Sequence, residues 1–159
     1  AAHWKLAELE AAGKLTAVVT QNIDGLHQAA GSKTVYELHG SVHRNHCMKC
    51  RRFYGLDFLP ETVGVPCCPA CGGVVKPDVV LYEECLDETT MEGAVEAIAG
   101  ADMLIIGGTS LAVYPAAGLI RYYRGNRLAL INKSATPYDR EAGLVINASL
   151  GEVLGAVRV

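Results

Sequence analysis

Two pairs of cysteines constrain this chain more than any other feature of its sequence. Cys47 and Cys50 form one C-x-x-C unit, Cys68 and Cys71 form a second, and seventeen residues separate the two units. This spacing is typical of two thiolate knuckles that complete one tetrahedral zinc site. Since four thiolates leave no open coordination position, we predict one structural zinc ion.

The other cysteines and the nearby histidines leave alternatives open. Cys67 is adjacent to Cys68 and is an alternative ligand, although the x-x spacing favours Cys68. His43 and His46 are close enough in the sequence to be outside candidates. Reduced loop cysteines or disulfides are the alternative to a metal, and the pairing of two C-x-x-C units disfavours both. Cys85 has no partner by spacing, and we expect a buried thiol there.

Composition and charge bear on the class of protein. The chain has 159 residues, 50% of them hydrophobic, which suffices for one cored domain and a small inserted module. Its formal net charge of −3 supplies no attraction to nucleic acid or to an anionic membrane. No apolar run approaches the roughly 20 residues of a membrane span, and no secretory signal pattern opens the sequence. We therefore expect a cytoplasmic protein that binds neither nucleic acid nor membrane, and we see no signal for a particular oligomeric state.

The hydrophobic pattern switches repeatedly between helical and extended segments. Predicted helices cover 2–12, 24–30, 89–99 and 115–123, and predicted strands cover 16–20, 35–38, 103–106, 128–131 and 144–146. This alternation predicts an α/β fold, a Rossmann-like parallel sheet with helices on both faces. From about 43 to 77 the sequence is rich in Cys, Arg, Pro and Gly and has little periodicity. We assign an inserted zinc-binding module to 43–75 and the Rossmann-like domain to 1–42 and 76–159.

Polar and small residues follow two of the predicted strands. Gln21, Asn22 and Asp24 offer amides and a carboxylate that can hydrogen-bond a carboxamide and hydroxyl groups. His39 carries an imidazole that accepts a proton near neutral pH, as a general base must. Gly108–Ser110 combines small residues with hydroxyl donors and suits close approach by a ribose or a phosphate.

Five motifs in this order resemble the sirtuin family, with the cysteine pairs between the second and the third. They are Thr20–His27, Glu37–Ser41, Lys76–Val80, Gly108–Leu111 with Val113 and Pro115, and Asn132–Lys133. The resemblance covers nearly the whole chain, and five motifs in sequence are hard to obtain by accident.

The resemblance implies an NAD-dependent protein-lysine deacylase that transfers the acyl group to ADP-ribose and releases nicotinamide. His39 matches the catalytic histidine of the family, and Asn22 and Asp24 match residues that act beside it. The residues implied to contact NAD are Gln21, Asn22, Ile23, Asp24, Gly108, Thr109, Ser110, Asn132, Lys133, Ser134 and Leu150. The acylated-lysine peptide or protein substrate would bind as an added strand at Val79, Leu81, Tyr82 and Val113.

The chain departs from the sirtuin pattern in two places. Sirtuins open with a strand and a glycine-rich phosphate loop, and neither precedes Thr16, so we expect an N-terminally truncated chain. Glu83 stands where the family usually has glycine, which adds a charge where backbone freedom is usual. This second departure puts peptide binding at that edge in question.

Competing interpretations concern the whole chain and single residues. The first alternative is a catalytically idle remnant that binds a peptide or ADP-ribose without turnover. The second is a zinc-stabilised module that binds nucleic acid through a basic cluster, which we expect to be a solvated face instead. That cluster consists of Arg44, Lys49, Arg51 and Arg52. Among single residues, His27 is expected to be structural, Asp24 is an alternative helix N-cap, and Thr109 and Ser110 are alternative caps of the next helix.

Overall fold

A computed structural model describes residues 1–59 and 64–159. The α-helices are α1 (Ala2–Ala11), α2 (Leu26–Ala29), α3 (Glu88–Ala99) and α4 (Leu150–Gly155). The strands are β1 (Val18–Thr20), β2 (Val35–Glu37), β3 (Gly40–Cys47), β4 (Phe53–Tyr54), β5 (Val75–Val79), β6 (Leu104–Gly107), β7 (Leu128–Ile131) and β8 (Leu144–Ile146). Short 3₁₀ helices cover Leu56–Phe58 and Ala116–Tyr122.

The chain divides into two compact units. Unit 1 consists of Ala1–Val19, Leu26–Tyr36 and Asp87–Val159, and unit 2 consists of Thr20–Gly25 and Glu37–Leu86. β1 and β2 pair in a two-stranded sheet. Of the module expected at 43–75, residues 60–63 lie outside the described part of the chain.

Unit 1 is built on the parallel sheet that the sequence predicts. β7 lies between β6 and β8, with Leu104 opposite Leu128 and Ala129 opposite Leu144. All four residues of β7 are buried, as expected for a central parallel strand that reads as a continuous apolar run. The chain therefore has the α/β, Rossmann-like fold expected from its alternating elements.

The helices of unit 1 begin and end as their sequences indicate. The Asp87 side chain accepts a hydrogen bond from the Thr90 N–H at 2.8 Å and caps the start of α3. α1 ends at Ala11 and is followed by Gly13 with φ of +69°, and the Lys14 N–H donates to the Leu9 carbonyl at 2.9 Å. That bond is the Schellman pattern that glycine permits after a helix.

Two segments of unit 1 differ from the prediction. The segment expected to be an α-helix over 115–123 is a 3₁₀ helix, in which the Gly118 N–H donates to the Pro115 carbonyl at 2.9 Å. A glycine at its centre and a length of seven residues both weaken an α-helix, so the tighter turn is accessible. The prediction missed α4, whose six residues include two glycines and span too few turns for periodicity.

Unit 2 contains an antiparallel sheet with the order β4-β3-β5. The sequence suggested an irregular segment here because β3 lacks alternating apolar residues. The buried face of β3 is formed instead by Ser41, Asn45 and Cys47, and the register shifts between Ser41 and Asn45. A strand whose buried positions hold serine, asparagine and cysteine gives no alternating apolar pattern in the sequence.

Within the described residues, no helix has both the length and the apolar character that crossing a membrane requires.

Candidate functional site

The two C-x-x-C units come together in unit 2. The ligand atoms of Cys47, Cys50, Cys68 and Cys71 all lie within 4.8 Å of one another. Cys47 Sγ is 3.5 Å from Cys71 Sγ, and Cys50 Sγ is 3.7 Å from Cys68 Sγ. A tetrahedral site with zinc–sulfur bonds of about 2.3 Å places its sulfurs about 3.8 Å apart. The four cysteines are therefore positioned to bind one zinc ion.

The open choice between Cys67 and Cys68 is resolved by the same geometry. Cys68 is 2% exposed and faces the other three thiols, whereas Cys67 is exposed and its thiol donates to the Val65 carbonyl at 3.4 Å. The expectation of a buried thiol at Cys85 is wrong, since Cys85 is exposed.

Main-chain geometry shapes the two knuckles. The N–H groups of Lys49 and Cys50 both donate to Cys47 Sγ at 3.4 Å. A Cβ atom added at Gly73 would lie 2.9 Å from Cys47 Sγ and 2.7 Å from Lys49 Cβ. Glycine is thus required at position 73 by the close approach of the two knuckles.

Tyr54 is a site residue that the sequence analysis missed. Its hydroxyl lies 2.9 Å from Cys68 Sγ, and its ring stacks on Phe58 with centroids 4.3 Å apart. The hydrogen bond to Cys68 raises the pKa of Tyr54 to about 12. The same bond is the first cause that lowers the pKa of Cys68 to about 6. An aromatic residue next to a cysteine-rich loop was the only sequence signal for this contact.

The expected catalytic histidine lies beside the strand-end segment in unit 2. His39 is half-buried, and its Nδ1 is 3.0 Å from the Gln21 carbonyl oxygen. Because a carbonyl oxygen only accepts, Nδ1 carries the proton of this bond and Nε2 of the neutral ring keeps its lone pair. The Leu38 N–H donates to the Thr20 carbonyl at 2.9 Å and holds the two segments side by side.

Gly40 holds the His39 main chain against β5. Gly40 has φ of +75°, and a Cβ atom added there would lie 1.8 Å from the Asp78 carbonyl oxygen. The Val80 N–H donates to the His39 carbonyl at 3.1 Å. No side chain other than hydrogen fits at position 40 without moving the strand beside it.

The segment that carries Asp24 is fastened to β3. The Val42 N–H donates to the Ile23 carbonyl at 3.0 Å, and the His43 Nε2–H donates to the Asp24 carbonyl at 3.0 Å. Gly25 has φ of +68°, and a Cβ atom added there would lie 2.7 Å from the His43 ring. The Asn22 and Asp24 residues themselves are exposed.

An ion-pair network that the sequence analysis did not identify braces the same region. Arg44 Nη1 lies 2.7 Å from Glu37 Oε2, and Arg44 Nε lies 3.4 Å from Asp78 Oδ2. Partial burial acts to lower the pKa of Arg44, but hydrogen bonds and charge from Glu37 and Asp78 raise it above its ordinary value. Lys49, Arg51 and Arg52 are exposed and the Arg44 side chain is 43% exposed, in agreement with the expected solvated face, although Arg44 also pairs with two carboxylates.

The segment after β5 carries the expected substrate contacts. Leu81 is 56% exposed and Tyr82 is 99% exposed. Glu83 has φ of +71°, so the position where the family usually has glycine keeps a glycine-like backbone. Glu84 Oε2 accepts from the Leu81 N–H at 2.8 Å, and this bond, followed by the charge of Lys76, lowers the pKa of Glu84.

In unit 1, the glycine turn after β6 meets the end of β7 and the start of α4. Gly108 has φ of +65°, and its N–H donates to the Ile131 carbonyl at 3.2 Å. A Cβ atom added at Gly107 would lie 2.5 Å from Leu150 Cδ1. Asn132 Nδ2 donates to the Thr109 carbonyl at 3.1 Å.

The remaining predicted residues of unit 1 lie around this junction. Asn132 Nδ2 also donates to the Ser134 carbonyl at 3.0 Å. Ser110 and Lys133 are exposed, and Val113 is 49% exposed. The structure thus brings Gly108, Thr109, Asn132, Ser134 and Leu150 together at the carboxyl ends of parallel strands, where ligands bind in such sheets.

A known protein family matches this chain over most of its length. The model of the Sir2 family matches residues 1–115. An NAD-dependent protein deacetylase of Clostridium acetobutylicum is 63% identical over 158 residues, which are 99% of this chain and 64% of that protein. A protein of the same name from Clostridium perfringens is 66% identical over 157 residues, 98% of this chain and 64% of that protein. The chain therefore spans about 64% of the length of these curated relatives.

Solved structures agree in fold. A structure titled "Sir2-p53 peptide-NAD+" has 39% sequence identity and a TM-score of 0.89, and the match covers 97% of this chain and 66% of that one. A structure of Sir2Tm bound to a propionylated peptide has 40% identity and a TM-score of 0.90, with 97% and 67% covered.

Proposed function

Since the chain belongs to the Sir2 family, we propose that it serves the NAD-dependent removal of acyl groups from protein lysines. The names of the relatives support this reaction, because the two clostridial proteins described above are NAD-dependent protein deacetylases. The structural relatives support the same substrate class, because they include Sir2 proteins with NAD+ and a p53 peptide, with an acetylated peptide, and with a propionylated peptide.

The hydrogen bond between His39 and Gln21 is the observation that carries the proposal. With Nδ1 donating to the Gln21 carbonyl at 3.0 Å, the ring is held in the tautomer whose Nε2 accepts a proton. A general base needs that lone pair in a fixed direction. His39 would accept a proton from a ribose hydroxyl group of the bound dinucleotide.

Two groups of residues, one within each unit, have the chemistry expected of contacts to NAD. In unit 2, Gln21–Asp24 would bind the nicotinamide and its ribose through amide and carboxylate groups, with Asn22 and Asp24 acting beside His39. In unit 1, Gly108–Ser110 would hold the adenosine side, and Asn132–Ser134 and Leu150 would complete it. Gly107 and Gly108 leave the turn without side chains, so the main chain is open to close approach. When bound, NAD supplies the glycosidic bond whose cleavage drives acyl transfer.

The proposed peptide contacts are Val79, Leu81, Tyr82 and Val113. β5 is an edge strand of the β4-β3-β5 sheet, and an edge strand can pair with an extended peptide through main-chain hydrogen bonds. Such pairing reads sequence loosely, so we propose broad substrate tolerance.

We also propose that 43–75 acts as a zinc-binding module inserted into the Rossmann-like domain of 1–42 and 76–159. Four thiolates that hold zinc need a compartment in which thiols stay reduced. The cytoplasm meets that requirement, which supports a cytoplasmic location.

The test is NAD-dependent release of nicotinamide from an acetyl-lysine peptide. It is run on this chain, on its His39→Ala variant, and on His46→Ala as the matched histidine control. We expect turnover to fall at least about 100-fold in His39→Ala and to persist in His46→Ala, at unchanged zinc content. Turnover of His39→Ala at the parent rate would refute the proposed role. Absence of turnover in the unsubstituted chain, with ADP-ribose still bound, would identify the idle binding protein instead.

A further inference from the structure

The zinc site is asymmetric in its exposure. Cys47 and Cys68 are 0% and 2% exposed, and together with Val75 they form a small buried cluster against which Tyr54 and Phe58 pack. Cys50, by contrast, is exposed. Reagents in solution therefore reach one ligand far more readily than its two buried partners.

Hydrogen bonding to the sulfurs has the same asymmetry. Cys47 Sγ accepts two main-chain N–H groups at 3.4 Å, and Cys68 Sγ accepts the Tyr54 hydroxyl at 2.9 Å. Within the described residues, the hydrogen-bond contacts of Cys50 Sγ are to other thiols, and one of them is to Cys68 Sγ at 3.7 Å.

These differences bear directly on reactivity. A thiolate reacts through its lone pairs, so a donor that occupies one of them and a wall of side chains around the sulfur both slow its attack. Cys68 has both kinds of protection and Cys50 has neither.

We propose that Cys50 is the modification site at which soft carbon electrophiles open the zinc centre, while the Tyr54 hydroxyl protects Cys68. In the reaction, the Cys50 sulfur forms a bond to the electrophilic carbon, and the leaving group departs with the electron pair of the broken bond. The resulting thioether carries no negative charge and would be a poor zinc ligand, so the three remaining thiolates would hold the ion more weakly. The inference is independent of the proposed deacylation, since it concerns the zinc ligands alone.

Tyr54 is well placed for this role because its ring cannot turn freely. The ring stacks on Phe58 at an interplanar angle of 29°, and Tyr54 pairs with Asn45 in the β3–β4 register. The hydroxyl is thereby held toward Cys68 rather than toward solvent. Partners of this kind, which hydrogen-bond a metal ligand, alter metal affinity by about 10- to 100-fold when removed.

The test uses the zinc-loaded chain with Cys67→Ser and Cys85→Ser, because these two exposed thiols are not ligands and would compete for reagent. Substoichiometric iodoacetamide is added, iodide being the leaving group. Released zinc is followed with a colorimetric chelator, and the alkylated cysteines are identified by mass spectrometry of peptides. We expect alkylation of Cys50 to track zinc release and to exceed that of Cys68 at least about tenfold in rate.

Tyr54→Phe, which keeps the stacked ring, tests the protecting hydroxyl. We expect Cys68 alkylation to rise several-fold and zinc affinity to fall by about 10-fold or more. Phe53→Leu, at a 56% exposed neighbouring position without a thiol contact, is the matched control and should change neither quantity. First alkylation at Cys68 or Cys47, or equal rates at all four ligands, would overturn the inference. So would a Tyr54→Phe protein with the alkylation pattern and zinc affinity of its parent.

Discussion

One main-chain contact has a large influence on where His39 lies. Gly40 brings the start of β3 so close to β5 that a methyl group at position 40 would overlap the Asp78 carbonyl. The positive φ of Gly40 adds a second penalty for any other residue. The position of His39, the residue before Gly40, therefore depends on the absence of a side chain at position 40.

Gly40→Ala should therefore destabilise the protein by at least about 2 kcal/mol, because it combines a steric overlap with a left-handed backbone. The midpoint of urea unfolding measures the effect. Gly55→Ala is the control, since a Cβ atom there meets nothing within 4 Å and the φ of −72° suits alanine. Equal midpoints for the two variants would contradict the role of Gly40.

Glu83 presents the opposite case, a side chain on a backbone that favours glycine. With φ of +71°, replacement by glycine removes strain of about 1 kcal/mol, part of which is offset by greater freedom in the unfolded chain. Glu83→Gly is expected to leave the urea midpoint unchanged or raised. Glu92→Gly, at an exposed position inside α3, should lower it by about 1 kcal/mol. A loss of stability in Glu83→Gly would show that its side chain makes a stabilising contact.

At the scale of elements, a carboxylate links the end of α1 to the chain before β2. The two oxygens of Glu10 accept the N–H groups of Lys33 and Thr34, each at 2.7 Å. The main-chain bond from Lys33, followed by that from Thr34, lowers the pKa of Glu10. The folded protein thus favours the charged form of this carboxyl group.

The sign of the pH effect follows from that lowered pKa. The stabilisation by Glu10 is present above its ordinary pKa of 4.5 and is lost as pH falls through the lower value of the folded state. Glu10→Gln should be less stable at neutral pH and should lose less stability between about pH 5 and pH 3. Urea midpoints measured across that range test this, with the exposed Glu96→Gln as control. Parallel curves for Glu10→Gln and the parent would contradict it.

At the scale of the whole molecule, the two units have cores of different kinds. Unit 1 buries apolar side chains from its sheet and helices, among them Ala94, Ile98, Leu119, Leu130 and Leu154. In unit 2, the cluster around Val75 consists largely of zinc ligands, Cys47 and Cys68 with Cys71 packed against them. In unit 2, zinc bound by these cysteines would therefore supply stability that apolar contacts supply in unit 1.

Removal of zinc should accordingly affect the two units unequally. With a strong chelator at neutral pH, we expect amide hydrogen exchange to accelerate in peptides that cover 47–59 and 64–75. Peptides that cover β7 should keep their protection, because their contacts are apolar and need no metal. Re-addition of zinc should reverse the change. Uniform loss of protection across the chain would show that the two cores unfold as one.

The sequence by itself determined the features that depend on local pattern. The spacing of the C-x-x-C pairs predicted the metal ligands, and the apolar runs predicted β7 and β8 at their observed bounds, 128–131 and 144–146. The order of five motifs predicted the family, which the match to residues 1–115 confirms. Each of these signals lies within a short stretch of chain or in the order of such stretches, so no tertiary information was needed.

Features that depend on contacts between residues far apart in the chain were decided only by the tertiary structure. The β4-β3-β5 sheet was not predicted, because its buried face is polar and its strands pair across the cysteine loops. The tautomer of His39 depends on a carbonyl eighteen residues away, and the protection of Cys68 depends on a hydroxyl fourteen residues away. Such contacts leave no periodicity in the sequence, because a hydrogen bond constrains two atoms in space and not the residues between them.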